Sequence, residues 1–109
     1  MKSWVILAGT VLLASGLPAQ GYKPASGYVP DSTTAVKIAE AVLAPVYGEK
    51  HIQLERPFTA TLKNGVWTVT GTLHCPDGKG GITTFCDGGV AEVRISKSDG
   101  RILYMLHGM

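Results

Sequence analysis

The stretch from Val29 to Gly48 carries the one convincing helix pattern in this chain, and everything after it reads as strand and turn. Asp31 is placed to cap that helix, because its carboxylate can accept from the free amides of the first turn and meets the positive end of the helix dipole. Pro30 keeps the incoming chain extended. Val36, Ile38, Ala39, Val42, Leu43 and Val46 recur at three- and four-residue steps and form a broad apolar stripe, read as a core face. Lys37 and Glu40 fall on the wet side as an i,i+3 pair. Pro45 removes one backbone hydrogen bond and tightens or bends the last turn, and Gly48 ends the helix.

Ahead of this helix, Met1, Lys2 and Ser3 form a short basic start to the apolar run from Trp4 to Leu13. Small residues at 14–16 and 17–19 offer cleavage points, so residues 1–19 read as a secretory signal peptide. A membrane span needs ~20 apolar residues, about twice what this run supplies. Residues 20–28 are turn-rich and read as a loose lead-in, leaving 29–109 as a single domain with one modest core. The formal charge of the whole chain is +2, one unit of which is Lys2. Near-zero charge with mixed signs leaves no footprint for nucleic acid or an anionic membrane.

Four strands are predicted beyond the helix. Residues 49–56 are polar and fit a short helical turn or an irregular link. Phe58 to Leu62 alternates with period two, Asn64-Gly65 has the chemistry of a tight hairpin turn, and Val66 to Leu73 is the partner strand. Gly71 inside that run suggests a bulge or sharp curvature. Val90 to Ser96 turns through Ser98, Asp99 and Gly100 into Arg101 to His107. The last strand alternates Ile102, Tyr104 and Leu106 against Leu103 and Met105. Apolar residues on both faces make it a central strand, or one whose second face meets a partner. The fold class is therefore α+β, a curved antiparallel sheet of about four strands packed on one main N-terminal helix.

Between the second and third strands lies the long loop 74–89. In an exported chain its two cysteines, Cys75 and Cys86, are most simply one disulfide, which would stabilise by roughly 2–3 kcal/mol. A metal set of His74, Cys75, Cys86 and Asp87 is the competing reading, without the paired cysteine knuckle of structural zinc sites. A redox pair would want two cysteines two residues apart. The glycine-rich 78–81 lacks the spacing of a phosphate-binding loop. His51, His74 and His107 read as isolated, and no carboxylate pair stands at a catalytic spacing, so no catalytic residue, metal or cofactor is predicted. The loop's exposed features, Asp77, Lys79, Phe85 and Asp87, are the candidate partner-binding residues, because a tethered loop has less entropy to lose on binding. A free-varying connection is the plainer alternative.

Three segments resemble a known family in their order and spacing. They run from Val29 through Ala35-Val36-Lys37-Ile38-Ala39-Glu40-Ala41 to Tyr47-Gly48-Glu49, from Pro57-Phe58-Thr59-Ala60 through Val66 to Leu73, and from Gly88-Gly89-Val90 through Gly100-Arg101-Ile102 to His107-Gly108. Together they resemble the NTF2-fold immunity proteins of bacterial polymorphic toxin systems. The resemblance implies an NTF2-like, cystatin-like cone and a non-enzymatic protein that binds and neutralises a cognate toxin in a stoichiometric complex. With the export signal it implies a periplasmic location. The long loop 74–89 departs from the short link of the family pattern and is the expected local specialisation. A carboxylate beside His51 or His107 in a closed pocket would instead mark a small-ligand or enzymatic use of such a cone, and a general envelope inhibitor is a third possibility.

Overall fold

The structure, a computed structural model, describes residues 21–76, 78–83 and 88–108; the signal-peptide reading of residues 1–19 lies outside them. Helix α1 (Ser32–Tyr47) and the short α2 (Glu49–Leu54) precede the strands β1 (Thr59–Lys63), β2 (Val66–Thr70), β3 (Cys75–Pro76), β4 (Ile82–Thr83), β5 (Ala91–Ser96) and β6 (Ile102–His107). The main sheet runs β1-β2-β5-β6, antiparallel throughout. α1 lies across the sheet against β1, β2 and β5. This is the α+β architecture expected from one helix and a set of alternating strands. Among the described residues, no helix is long and apolar enough to cross a membrane.

Local chemistry sets the ends of the elements. The Asp31 side chain accepts from the Thr34 amide at 2.8 Å, which caps α1. Pro45 sits within the helix, and Gly48, with φ of 97°, closes it through a 2.8 Å bond from its own amide to the Ala44 carbonyl. Between β1 and β2, Asn64 (φ 51°) and Gly65 (φ 77°) form the two-residue turn, with Lys63 opposite Val66.

Asp31 also supports a pH prediction. Hydrogen bonding to Thr34, first through its side chain and then through its backbone amide, holds the Asp31 carboxyl below its ordinary 3.8. A carboxyl depressed in the folded state stabilises fully above its unfolded value and loses that effect as pH falls through the folded value. Asp31→Asn keeps a capping oxygen without the charge. We expect it to melt below the parent at neutral pH, and the gap to close in thermal melts taken below pH 3.8.

The core is built from Val29, Ala35, Ala39, Leu43, Ile52, Phe58, Trp67, Val69, Ala91, Val93 and Ile95, all buried. α1 faces the sheet through Ala35, Ala39 and Leu43, with Val36, Ile38 and Val42 only partly covered. The expected stripe is thus turned about its axis: Val46 stands 59% exposed, while Ala35 is fully covered. The small alanines let the helix backbone lie close to the sheet, and that proximity fixes which line of the helix is innermost. Glu40 does not close a pair with Lys37 in the observed contacts. It takes a two-pronged bond from Arg56, including Nε to both carboxylate oxygens at 3.1 Å. Trp67 spans the core and donates its indole N–H to the Val29 carbonyl at 2.8 Å.

Two strand readings are corrected. β6 is an edge strand, not a central one, with β5 its neighbour in the sheet. Its alternation is also interrupted. Arg94 pairs with Tyr104 and Ile95 with Ile102, so Leu103 is an extra residue on β6. The register therefore groups Ile102 with Met105 toward the core side, and Tyr104 with Leu106 on the outer side, where Arg94 lies over the Tyr104 ring at 4.3 Å.

The segment before α1 is held at its end. The amides of Tyr28 and Val29 donate to the carbonyls of Ser98 and Lys97, at 3.0 and 3.1 Å, and Lys23 reaches the Ser98 hydroxyl at 2.7 Å.

Candidate functional site

At one end of the sheet α2 meets the last residue of β6. His51 and Glu55 stand four residues apart, on α2 and at its C-terminal cap, and so share a face. His107 ends β6 opposite Ala91 of β5. The three side chains converge: His107 Nε2 lies 2.6 Å from Glu55 Oε2, His51 Nε2 is 3.1 Å from the same oxygen, and the two Nε2 atoms are 2.9 Å apart. The reading of His51 and His107 as isolated histidines is therefore corrected. The fold brings them together across 56 residues of chain.

Glu55 is the hub. It is one of the two buried polar residues among those described, with Ser96. Its Oε1 accepts the Ala91 amide at 2.7 Å, and its main-chain carbonyl accepts from Thr72 at 2.7 Å. Gly71 makes the room. A Cβ there would fall 2.5 Å from Glu55 Oε1 and 3.1 Å from the Phe58 ring. Gly71 lies just past the end of β2, and it allows close approach of a side chain rather than marking a bulge. A second close approach sets His107 in place. A Cβ on Gly89 would lie 2.0 Å from the Gly108 carbonyl carbon, and the Gly108 amide donates to Val90 at 3.1 Å. Two glycines thus let the chain cross at the sheet's end.

His107 has two acceptors, the Gly108 carbonyl 2.8 Å from Nδ1 and the Glu55 carboxylate 2.6 Å from Nε2. Burial is the largest single influence on it and disfavours its charge. The hydrogen bonds to Glu55 and Gly108 and the attraction of the Glu55 charge together outweigh burial, and its pKa is raised above 6.5. The Tyr47 ring flanks it at 5.2 Å between centroids and the His51 ring at 4.9 Å. His51 remains half in solvent, with 51% of its side chain exposed. A carboxylate does lie beside the histidines, but the group opens to water.

The predicted site residues fall elsewhere. Lys79 is exposed on the connection between β3 and β4, which pair as a two-residue hairpin with Cys75 opposite Thr83 and Pro76 opposite Ile82. Asp77, Phe85, Cys86 and Asp87 lie outside the described residues, and with them the Cys75–Cys86 pairing. His74 sits apart from the other histidines, with Nε2 bonded to the Arg56 carbonyl at 2.7 Å. Glu55 is not among the residues predicted from the sequence. The signal for half of the cluster was present, because His51 and Glu55 have helical i,i+4 spacing.

One main helix, α1, followed by the short α2 and layered on a curved four-stranded antiparallel sheet, is the architecture of an NTF2-like cone. The chain belongs to the NTF2 fold immunity protein family, whose model matches residues 34–109. It is also similar to a protein of Escherichia coli strain K12 that carries the name Uncharacterized protein YhhH. The two are 26% identical over 107 residues, which cover 98% of this chain and 78% of the other. No solved structure gives a significant match.

Proposed function

We propose that this chain is an exported immunity protein that neutralises a cognate toxin by forming a stoichiometric complex in the periplasm, without catalysis. The family match over residues 34–109 carries the reading. A protein partner is further supported by the edge strand β6, where Leu103, Tyr104 and Leu106 are 45%, 39% and 49% exposed. An apolar edge of that kind is costly to leave in water and suits a protein contact. The residues proposed for the toxin contact are Asp77, Lys79, Phe85 and Asp87 of the loop, presented on a connection tethered by a Cys75–Cys86 bridge.

The test is capture from the envelope and secreted fractions of the producing strain, with residues 20–109 as bait. One dominant toxin-like partner in equimolar amount is expected, with binding weakened at least tenfold by Lys79→Glu or Phe85→Ala. Binding that survives both changes but is lost in Tyr104→Glu would move the contact to β6. Absence of any partner would overturn the immunity reading. Fractionation of cells expressing residues 1–109 checks export, with the processed form expected in the periplasm.

A further inference from the structure

We propose that His51, Glu55 and His107 form a binding site for a divalent cation of the zinc class, which clamps α2 to the end of β6. This goes beyond the immunity reading and does not depend on it.

Three lone-pair atoms point at one another here: Nε2 of each histidine and Oε2 of Glu55. Their separations are 2.6, 2.9 and 3.1 Å. Donors on one tetrahedral ion at ~2.0–2.1 Å stand roughly 3.3 Å apart, so the observed triangle needs to open by about 0.2 Å on its longest side and about 0.7 Å on its shortest. His51, half in solvent on a short helix, can supply that movement on the two sides it shares, while the 2.6 Å side opens by a turn of the His107 ring or the Glu55 carboxylate. Two imidazoles and one carboxylate are the donor set of several zinc centres that keep a coordination position open. Open positions would face the solvent on the His51 side.

The surroundings are also those of a prepared site. The Gly108 carbonyl bonds Nδ1 of His107, which leaves Nε2 as the atom directed at the cluster. The Ala91 amide occupies Oε1 of Glu55, which leaves Oε2 for the same point. The buried Glu55 and the partly buried His107 are thus both oriented by the backbone at the sheet's end. Hydrogen bonding alone accounts for the group less completely. If each histidine donates its Nε2–H to Glu55 Oε2, the two Nε2 atoms are left 2.9 Å apart with no acceptor between them.

The test is calorimetric titration of chelator-stripped, tag-free residues 20–109 with zinc chloride, together with thermal melts. One zinc per chain is expected, with a rise in melting temperature that grows with zinc concentration. His51→Ala changes an exposed residue and should leave the zinc-free melt near that of the parent while weakening zinc binding at least tenfold. Glu55→Gln, which retains an oxygen for the Ala91 amide, should weaken it similarly. Cobalt added in place of zinc should give visible absorption bands that disappear in His51→Ala. The proposal is overturned if the parent shows neither heat nor a melting shift up to 1 mM zinc (about −4 kcal/mol of binding free energy at that limit). It is equally overturned if His51→Ala binds zinc as tightly as the parent. Zinc binding without toxin capture would sink the immunity reading and leave this one standing.

Discussion

Trp67→Ala is expected to cost about 3–5 kcal/mol of folding stability, most of what a small domain has to lose. The side chain is 7% exposed, and its indole N–H holds the Val29 carbonyl at 2.8 Å. Truncation opens a cavity among Val29, Val69 and Ile95 and also orphans a buried acceptor. The two contributions separate experimentally. Trp67→Phe restores most of the volume but not the donor, and should recover all but about 1–3 kcal/mol. Urea unfolding of the three proteins, followed by far-ultraviolet circular dichroism, measures both steps. A Trp67→Ala protein within 1 kcal/mol of the parent, well below the ~3 kcal/mol expected from a truncated core aromatic, would mean that this residue does not organise the core.

Glu55→Ala should be the next most damaging change, at about 3 kcal/mol, because a buried carboxylate is removed from three partners at once. The Ala91 amide loses its acceptor, His107 and His51 lose their 2.6 and 3.1 Å contacts, and the space beside Gly71 and Phe58 empties. Glu55→Gln removes the charge and turns the acceptor facing His107 into a donor, but it keeps an oxygen for the Ala91 amide and should keep most of the stability. If alanine and glutamine variants proved equally stable, the Ala91 contact would be too weak to matter. If both were severely destabilised, the charge facing His107 would be the dominant contribution. Denaturation under chelating conditions keeps this comparison independent of any bound cation.

These variants also divide what could be read from the chain order from what could not. Helix α1, its Asp31 cap, the stop at Gly48 and the Asn64-Gly65 turn are local events, each decided by residues within a few positions, and the sequence describes them nearly residue by residue. The alternation of Val66 to Thr70 and of Ala91 to Ser96 settles which faces are buried, since register in a half-buried sheet follows the apolar pattern. Periodicity is weaker at choosing the innermost line of a helix. The stripe read from the sequence includes Val46 and omits Ala35, and the closeness of the sheet exposed the one and buried the other. Nor can it rank strands from centre to edge. β6 has apolar residues on both faces, yet it lies at the edge of the sheet with one extra residue at Leu103.

Sequence alone thus determined the main helix, the four strands of the large sheet, the Asn64-Gly65 turn and the antiparallel α+β class, because those follow from local dihedral preference and side-chain periodicity, whereas the β3–β4 hairpin lies in what reads as a loop. The tertiary structure alone decided the grouping of His51, Glu55 and His107. His107 is 52 residues from Glu55 in the chain, and only the pairing of β5 with β6, the room left by Gly71 and the crossing of Gly89 with Gly108 bring them within hydrogen-bonding distance. A carboxylate is buried without heavy cost only where donors or a counter-charge surround it, here the Ala91 amide and His107, and no window of sequence contains that surrounding.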